Sequence, residues 1–204
     1  MEIVIIRHGQ TDMNVKGIMS GQSDFARLTQ KGLLHALNLV RILRKIGVDG
    51  IFASPLTRAQ QTATPFSQNS GLPIIVESAL IEFNFGDLDN RPNLAAKYYE
   101  DKRRDDLSYH FPHGESYSEV IARLEPFCQR LENSGLHRPA CFTHGGILRP
   151  LLVHFMGLDI SNPQTLTNIA ISNEVIYVVN TADKSCKWIN TLEDDHGFGI
   201  FYRK

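Results

Sequence analysis

Two histidines in this chain each follow a short apolar run and each precede glycine. Arg7-His8-Gly9 comes after Glu2 to Ile6, and Thr143-His144-Gly145-Gly146 after a run near residue 140. Such runs read as strands, and in an open α/β sheet ligands gather beyond the carboxyl ends of strands. Arg7 and Arg58 add two permanent cations to the two imidazoles. That set suits a phosphoryl group. A phosphate monoester is a dianion that repels an anionic nucleophile, whereas neutral imidazole meets no such penalty and is abundant near pH 7. Guanidinium forks pair with the non-bridging oxygens and take up their charge as the transition state forms. Phosphoryl transfer is mostly positioning and electrostatics, so little more is required. The departing alkoxide still needs a proton. Glu82 is the candidate donor, placed after Ala79-Leu80-Ile81 and before Phe83-Asn84-Phe85-Gly86, where its carboxyl is partly desolvated.

The elements that must position these residues alternate strand and helix. After the first strand comes a polar loop, Gln10 to Leu28. Thr29 then caps a helix with Leu33, Leu37, Val40 and Leu43 on one face, stopped by Gly47. Gly50 to Ala53 reads as a buried strand. Ser54-Pro55 turns into a helix from about Thr57 to Gly71, with Arg58 in its first turn, where free backbone N–H groups favour an anion. Pro73 to Val76 is a third strand. Ser116-x-x-Glu119 forms a capping box for a helix to about Glu132, burying Val120, Leu124, Phe127 and Leu131. Pro139 to Thr143 is a strand and Gly146 to Met156 a helix. Ile169 to Ser172, Glu174 to Val179 and Cys186 to Thr191 read as later strands, and the tail from Glu193 has too little pattern to place. The alternation predicts right-handed crossovers and an α/β fold with a mainly parallel sheet. Residues 83–114 break it. They form an excursion with one or two short helices draped over the sheet, a cap-like insertion in a single domain spanning 1–204.

Composition excludes several classes. At 204 residues, 42% hydrophobic and 21% charged, the chain can bury a core of ordinary size. The net charge of -1 and the lack of a basic stripe with interleaved aromatics argue against nucleic acid as a partner. Ile147 to Leu158, the longest apolar stretch, is interrupted by Arg149 and His154 and falls short of the roughly 20 residues a membrane span needs. No signal-peptide pattern opens the chain, so a cytoplasmic enzyme is expected. Cys128, Cys141 and Cys186 lack metal or disulfide spacing, and Cys128 and Cys141 read as core residues. No cofactor and no metal is implied. His110-x-x-His113 has usable metal spacing, but Phe111-Pro112 breaks any helix and no further ligand completes a shell.

Taken together and in order, Arg7-His8-Gly9-x-Thr11-x-x-Asn14, Ser54-Pro55-Leu56-x-Arg58-Ala59-x-Gln61-Thr62, Glu82 with Phe85-Gly86, Gly114-Glu115-Ser116 and His144-Gly145-Gly146 resemble the histidine phosphatase superfamily. The resemblance runs from residue 3 to about 158. It implies the phosphoglycerate mutase-like fold, a three-layer α/β/α arrangement whose sheet is mixed and mostly parallel, with a variable insertion above the pocket. It also implies that His8 becomes phosphohistidine, that Arg7, Arg58 and His144 form the phosphate pocket, and that Glu82 is the acid and base. Gly9, Thr11, Asn14, Ser20, Gly21, Gln22, Gly145 and Gly146 are then the remaining ligand-site positions. Gln10 replaces a glutamate that many members carry. Asp87-Leu88-Asp89-Asn90-Arg91 replaces the tryptophan and Glu-Gly that phosphatase members often have after Phe85-Gly86.

The short distance from Glu82 to Gly114 favours the small phosphatase branch, which includes enzymes of α-ribazole phosphate and broad phosphomonoesterases. The expected activity is metal-independent hydrolysis of a small phosphorylated metabolite through phosphohistidine. Two rivals stand beside it: a mutase that returns the phosphoryl group to substrate, and a phospho-ligand binding module without turnover. Lys102-Arg103-Arg104 would suit a second anionic group on the substrate or a solvated helix face, the latter favoured by Asp101, Asp105 and Asp106. Tyr98 and Tyr99 either frame the pocket mouth or pack beneath the insertion, while Thr62 and Ser116 read as structural. A homodimer is compatible with the sequence, which does not determine oligomeric state.

Overall fold

The computed structural model describes residues 1–103, 105–160, 165, 172–191 and, for the backbone, 198–202. Its strands are β1 (Glu2–Arg7), β2 (Gly50–Ala53), β3 (Ile74–Val76), β4 (Pro139–Thr143), β5 (Val175–Asn180), β6 (Ser185–Asn190) and β7 (Phe198–Tyr202). Its helices are α1 (Asp12–Lys16), α2 (Gln30–Ile46), α3 (Thr57–Ser70), α4 (Lys97–Arg103), α5 (Tyr117–Glu132) and α6 (Gly145–Met156). Among the described residues the strands form one sheet in the order β3-β2-β4-β1-β5-β6-β7. The first four run parallel, and β5, β6 and β7 continue as an antiparallel meander.

Alternation along β1 explains the layers. Ile3 and Ile5 join one core with Val120, Leu124, Phe127 and Leu131 of α5 and the apolar side of α6. Val4 and Ile6 point the other way, into a second core with Leu39, Ile42 and Leu43 of α2 and Ala63 and Phe66 of α3. Successive side chains of a strand face opposite sides, so a strand covered on both faces reads as the continuous apolar run seen here. Cys128 and Cys141 lie in the first core, as expected, and burial pushes both thiols up.

The helix from Thr29 turns a different face inward from the expected one. Leu33 and Leu37 are 49% and 57% exposed. Gly32, His35, Ala36, Leu39, Ile42 and Leu43 are the buried positions. The small residues Gly32 and Ala36 let the helix start close to the backbone after β1, and that approach decided its rotation. Leucine periodicity alone favoured the wrong stripe. At the carboxyl end, β7 forms from the tail that carried no readable pattern, paired to β6 across an irregular register near Cys186 and Lys187. Of the expected strand Ile169 to Ser172, residues 169–171 lie outside the described residues, and Ser172 is not in a strand.

The excursion at 83–114 contains three elements: the 3₁₀ turns Gly86–Leu88 and Asn93–Ala96, and α4. Backbone bonds stitch it to the loop after α1: Met19 N–H to Arg91 O, Asn90 N–H to Met19 O and Asn93 N–H to Gly17 O, all between 2.8 and 3.0 Å. Among the described residues, no helix is long and apolar enough to cross a membrane.

Candidate active site

Strand register puts the two histidines side by side. Arg7 of β1 pairs with Thr143 of β4, and Ala53 of β2 with Phe142 of β4. His8, Ser54 and His144 therefore emerge together at the carboxyl edge of three adjacent parallel strands. His8 N–H donates to Thr143 O at 2.9 Å, and the two imidazole centroids are 5.2 Å apart.

Hydrogen-bond bookkeeping fixes the state of each ring. His8 Nδ1 lies 2.8 Å from Gly9 O. A carbonyl only accepts, so Nδ1 carries the hydrogen and Nε2 keeps its lone pair. Burial, then Arg7 and Arg58, hold this imidazole well below its usual pKa, which keeps it neutral. His144 has the opposite tautomer. Arg58 Nε donates to its Nδ1 at 3.2 Å, so its Nε2–H donates to Ser54 Oγ at 2.7 Å. Burial and Arg58 likewise depress its pKa.

Arg58 is 2% exposed and bonded through all three nitrogens, with Nη1 donating to Ser23 O at 3.0 Å and Nη2 to Gly21 O at 2.7 Å. A guanidinium has five N–H donors, so two remain for an anion. Arg7 presents a buried Nε that has no partner among the described residues. Burial lowers the pKa of both guanidinium groups while Glu82 raises it. The Glu82 carboxyl, 8% exposed, accepts from Phe83 N–H at 2.9 Å and from Gly146 N–H at 3.3 Å. The latter N–H belongs to the first turn of α6, where unpaired donors favour a carboxylate. A Cβ at Gly146 would fall 2.5 Å from Glu82 Oε1 and 2.6 Å from the Phe83 ring, so only glycine admits this approach.

These groups surround a cavity of about 180 Å³. Arg7, His8, Arg58, Glu82, Gly145 and Gly146 line its base, and Asn14, Ser20 and Gly21 line it with Ile18, Met19, Phe85 and Asn93. Other expected positions sit elsewhere. His144 is fully buried behind the cavity wall, its ring centroid 5.2 Å from that of His8 and its Nδ1 accepting from Arg58 Nε. Gly9 is placed by Thr62 Oγ1, which accepts its N–H at 3.0 Å, and a Cβ there would meet Gly32 O at 2.6 Å. Thr11 caps α1 in a reciprocal box with Asn14, whose side-chain oxygen is thereby occupied. Gln22 Nε2 donates to Glu82 O at 3.0 Å and so holds the backbone of that residue. Gly9, Thr11, Gln22 and His144 thus already bond protein groups: backbone for Thr11 and Gln22, side chains for Gly9 and His144.

Of the solvated face expected at Lys102 to Arg104, Lys102 is exposed and Arg103 is not. Arg103 is 1% exposed, its guanidinium 4.0–4.4 Å from the ring centroids of Tyr117, Phe111 and Phe83. Lys102 lies over Tyr98 at 5.9 Å, and Arg104 is outside the described residues. Tyr98 is 60% exposed, while Tyr99 packs on the core beneath the excursion. His113 Nδ1 meets the Asp87 carboxylate at 3.0 Å, and His110 Nδ1 lies 3.1 Å from Gly114 O.

Several supporting residues escaped sequence reading. Arg123 donates to the carbonyls of Ala79, Ile81 and Glu82 and pairs with Glu115 at 3.0 Å, while Glu115 also accepts Asn84 N–H. This clamp grips the chain on both sides of Glu82. Asn173 Nδ2 donates to His8 O at 2.7 Å from 165 residues away. Neither had a local signal. For Glu115, its place in Gly114-Glu115-Ser116 was the available hint.

Comparison with known proteins accords with this geometry. Residues 3–194 match the histidine phosphatase superfamily (branch 1). A Schizosaccharomyces pombe protein named "Probable phosphatase" is 28% identical over 95% of this chain and 93% of its own. A 2,3-bisphosphoglycerate-dependent phosphoglycerate mutase of Beijerinckia indica is 34% identical over 85% of this chain and 88% of its own. The crystal structure of an α-ribazole phosphatase from Shigella flexneri superposes with a TM-score of 0.75 at 26% identity, covering 88% of this chain and 90% of that one. With the family matched along nearly its whole length and the sheet, histidine pair and arginines arranged as described, this chain belongs to the histidine phosphatase superfamily, branch 1.

Proposed function

We propose that the protein hydrolyses phosphomonoesters of small metabolites through a phosphohistidine at His8. The observation that carries this reading is the unprotonated Nε2 of a buried neutral imidazole in a cavity shared with Arg7 and Arg58. In the first step the Nε2 lone pair attacks phosphorus and the ester P–O bond breaks. The leaving oxygen takes a proton from the Glu82 carboxyl, and the alcohol departs. In the second step water attacks phosphorus and gives a proton to the Glu82 carboxylate. The N–P bond breaks, and its electron pair returns to Nε2. Arg7 and the two free N–H groups of Arg58 hold the non-bridging oxygens throughout. His144 acts through Arg58, which it orients, rather than on the phosphate itself. The scheme requires no metal or cofactor. Residues 83–114 serve as the cap of a single domain and supply the cavity mouth through Phe85 and Asn93.

The relative named as a mutase keeps a second reading open, in which the phosphoryl group returns to the bound substrate. Phosphate release is measured against isomer formation with a phosphoglycerate. An aryl phosphate assay with acid quench decides the mechanism: turnover and an acid-labile phosphoenzyme are expected in the native protein, and both vanish in His8→Ala. Isomer without phosphate release, or unchanged turnover in His8→Ala, overturns the proposal.

A further inference from the structure

We propose that Asn173 is a positioning residue for His8, held in place by a clamp that α2 and the antiparallel half of the sheet build around Glu174. The inference rests on the nucleophilic role given to His8 above. Three contacts set the backbone around that residue. Its N–H donates to Thr143 O, the N–H of Gly9 donates to Thr62 Oγ1, and its carbonyl accepts from Asn173 Nδ2. The first two come from β4 and α3, on the parallel side of β1. Asn173 approaches from the antiparallel side, just ahead of β5, and closes the ring of supports. His8 O belongs to the peptide plane between residues 8 and 9, and Gly9 O, the acceptor that fixes the tautomer of His8, belongs to the next plane, joined to it at Gly9 Cα. With the first plane pinned by Asn173, the second is less free to swing about Gly9 Cα and carry Gly9 O away from Nδ1.

Asn173 is itself restrained by its neighbours. Ser172 Oγ donates to Glu174 Oε2 at 2.6 Å, and Lys31 Nζ pairs with Glu174 Oε1 at 2.7 Å. Thr191 binds Glu174 O through both its N–H and its hydroxyl, each at 2.8 Å. That hydroxyl hydrogen is spent on a carbonyl, so the bond of 2.8 Å between His35 Nδ1 and Thr191 Oγ1 is donated by the imidazole. Lys31 and His35 are one helical turn apart on α2 and both reach Glu174, the first directly and the second through Thr191. The start of α2 also touches the turn that follows His8: Thr29 N–H donates to Gln10 O, and Gly32 lies against Gly9. One helix thus frames both the turn after β1 and the loop that carries Asn173. Reacting groups held to within about 0.5 Å keep their rate, and a misplacement of about 1 Å can cost roughly a hundredfold.

The test uses the purified full chain and the variants Asn173→Ala and Thr191→Val, the second removing the clamp hydroxyl at nearly constant shape. Two readouts are taken: kcat and KM for an aryl phosphate, and the imidazole nitrogens of His8 in a long-range 1H–15N spectrum, assigned by their loss in His8→Gln. Expected for Asn173→Ala is a fall in kcat of about tenfold or more with KM changed less. The His8 signals, a single Nδ1–H tautomer in the native protein, then average or broaden. Thr191→Val should move both readouts the same way and less, and it carries the test if Asn173→Ala does not fold. If kcat stays within about twofold, or falls while the His8 spectrum is unchanged, the proposal is overturned. Should the native protein turn over no aryl phosphate, the hydrolase reading fails separately. The spectrum alone then decides whether Asn173 positions His8: altered signals support it and unaltered ones overturn it.

Discussion

Arg58 and Arg103 are both almost wholly buried, yet they are held by opposite means. Arg58 spends its three nitrogens on His144, Ser23 O and Gly21 O, so its plane is set by directional bonds. Arg103 lies against three aromatic rings and, among the described residues, bonds only Glu100 at 3.2 Å, with no partner for its buried Nε and Nη2. The same contrast separates the two ends of the cavity. At its base, His8 at a strand end, Arg58 at a helix start and Glu82 against the first turn of α6 are each held by hydrogen bonds. The mouth is made of 3₁₀ turns and backbone stitches, with apolar Ile18, Met19 and Phe85 between them. On the proposed mechanism, charge develops at the hydrogen-bonded base, and substrates differ at the more apolar mouth. Electrostatic preorganisation needs the first, and specificity tolerates the second.

The largest effect that could break this contrast is at the base. His8→Ala should lower kcat by about 10⁴-fold or more in an aryl phosphate assay, since the proposed nucleophile is removed. Arg58→Met should cost roughly 10²–10³ in kcat, the scale of losing one preorganised charge donor, while Arg103→Met leaves kcat on a small aryl phosphate within about twofold. Equal losses at the two arginines would abolish the distinction. Gly146→Ala should displace Glu82 and slow hydrolysis of an alkyl phosphate by about tenfold, more than that of an aryl phosphate, because only a poor leaving group needs the proton. At the mouth, Phe85→Ala should change relative kcat/KM among substrates by roughly 10–200-fold and leave phosphoenzyme formation intact.

Buried histidines give the contrast a pH signature. His8 and His144 are held well below their usual pKa by burial and the arginines, and His35 is lowered to about 4 by burial. The unfolded chain takes up these protons near pH 6.5, and the folded one does so only at lower pH. Stability is therefore fully present above about pH 6.5 and falls as the pH drops toward the folded values. For His35 the loss between pH 6.5 and 4 amounts to roughly 3 kcal/mol, read as a drop in Tm that His35→Gln should flatten. The acid limb of kcat/KM should likewise lie below pH 6.5, where His8 is still neutral.

The cavity base was legible because local sequence carries its construction. An apolar run followed by Arg-His-Gly and a Ser-Pro turn before Arg58 are short-range instructions for strand ends and helix starts. Legibility failed where a partner far along the chain decided the outcome. Leu33 and Leu37 fit a helical stripe, yet the approach of Gly32 to Gly9 turned them to solvent. Arg103 sat in a charged run that looked solvated until Phe83, Phe111 and Tyr117 closed around it.

By itself, the order of residues determined which groups stand at the carboxyl ends of the strands, because strand polarity and turn chemistry are local properties. Tertiary structure alone decided which of them face the ligand and which face one another. His144 was committed to Arg58 and Ser54, Gln22 and Arg123 to the backbone of Glu82, and Asn173 to His8. Hydrogen bonds across 41 to 165 residues depend on where the chain returns, and no local pattern encodes that return.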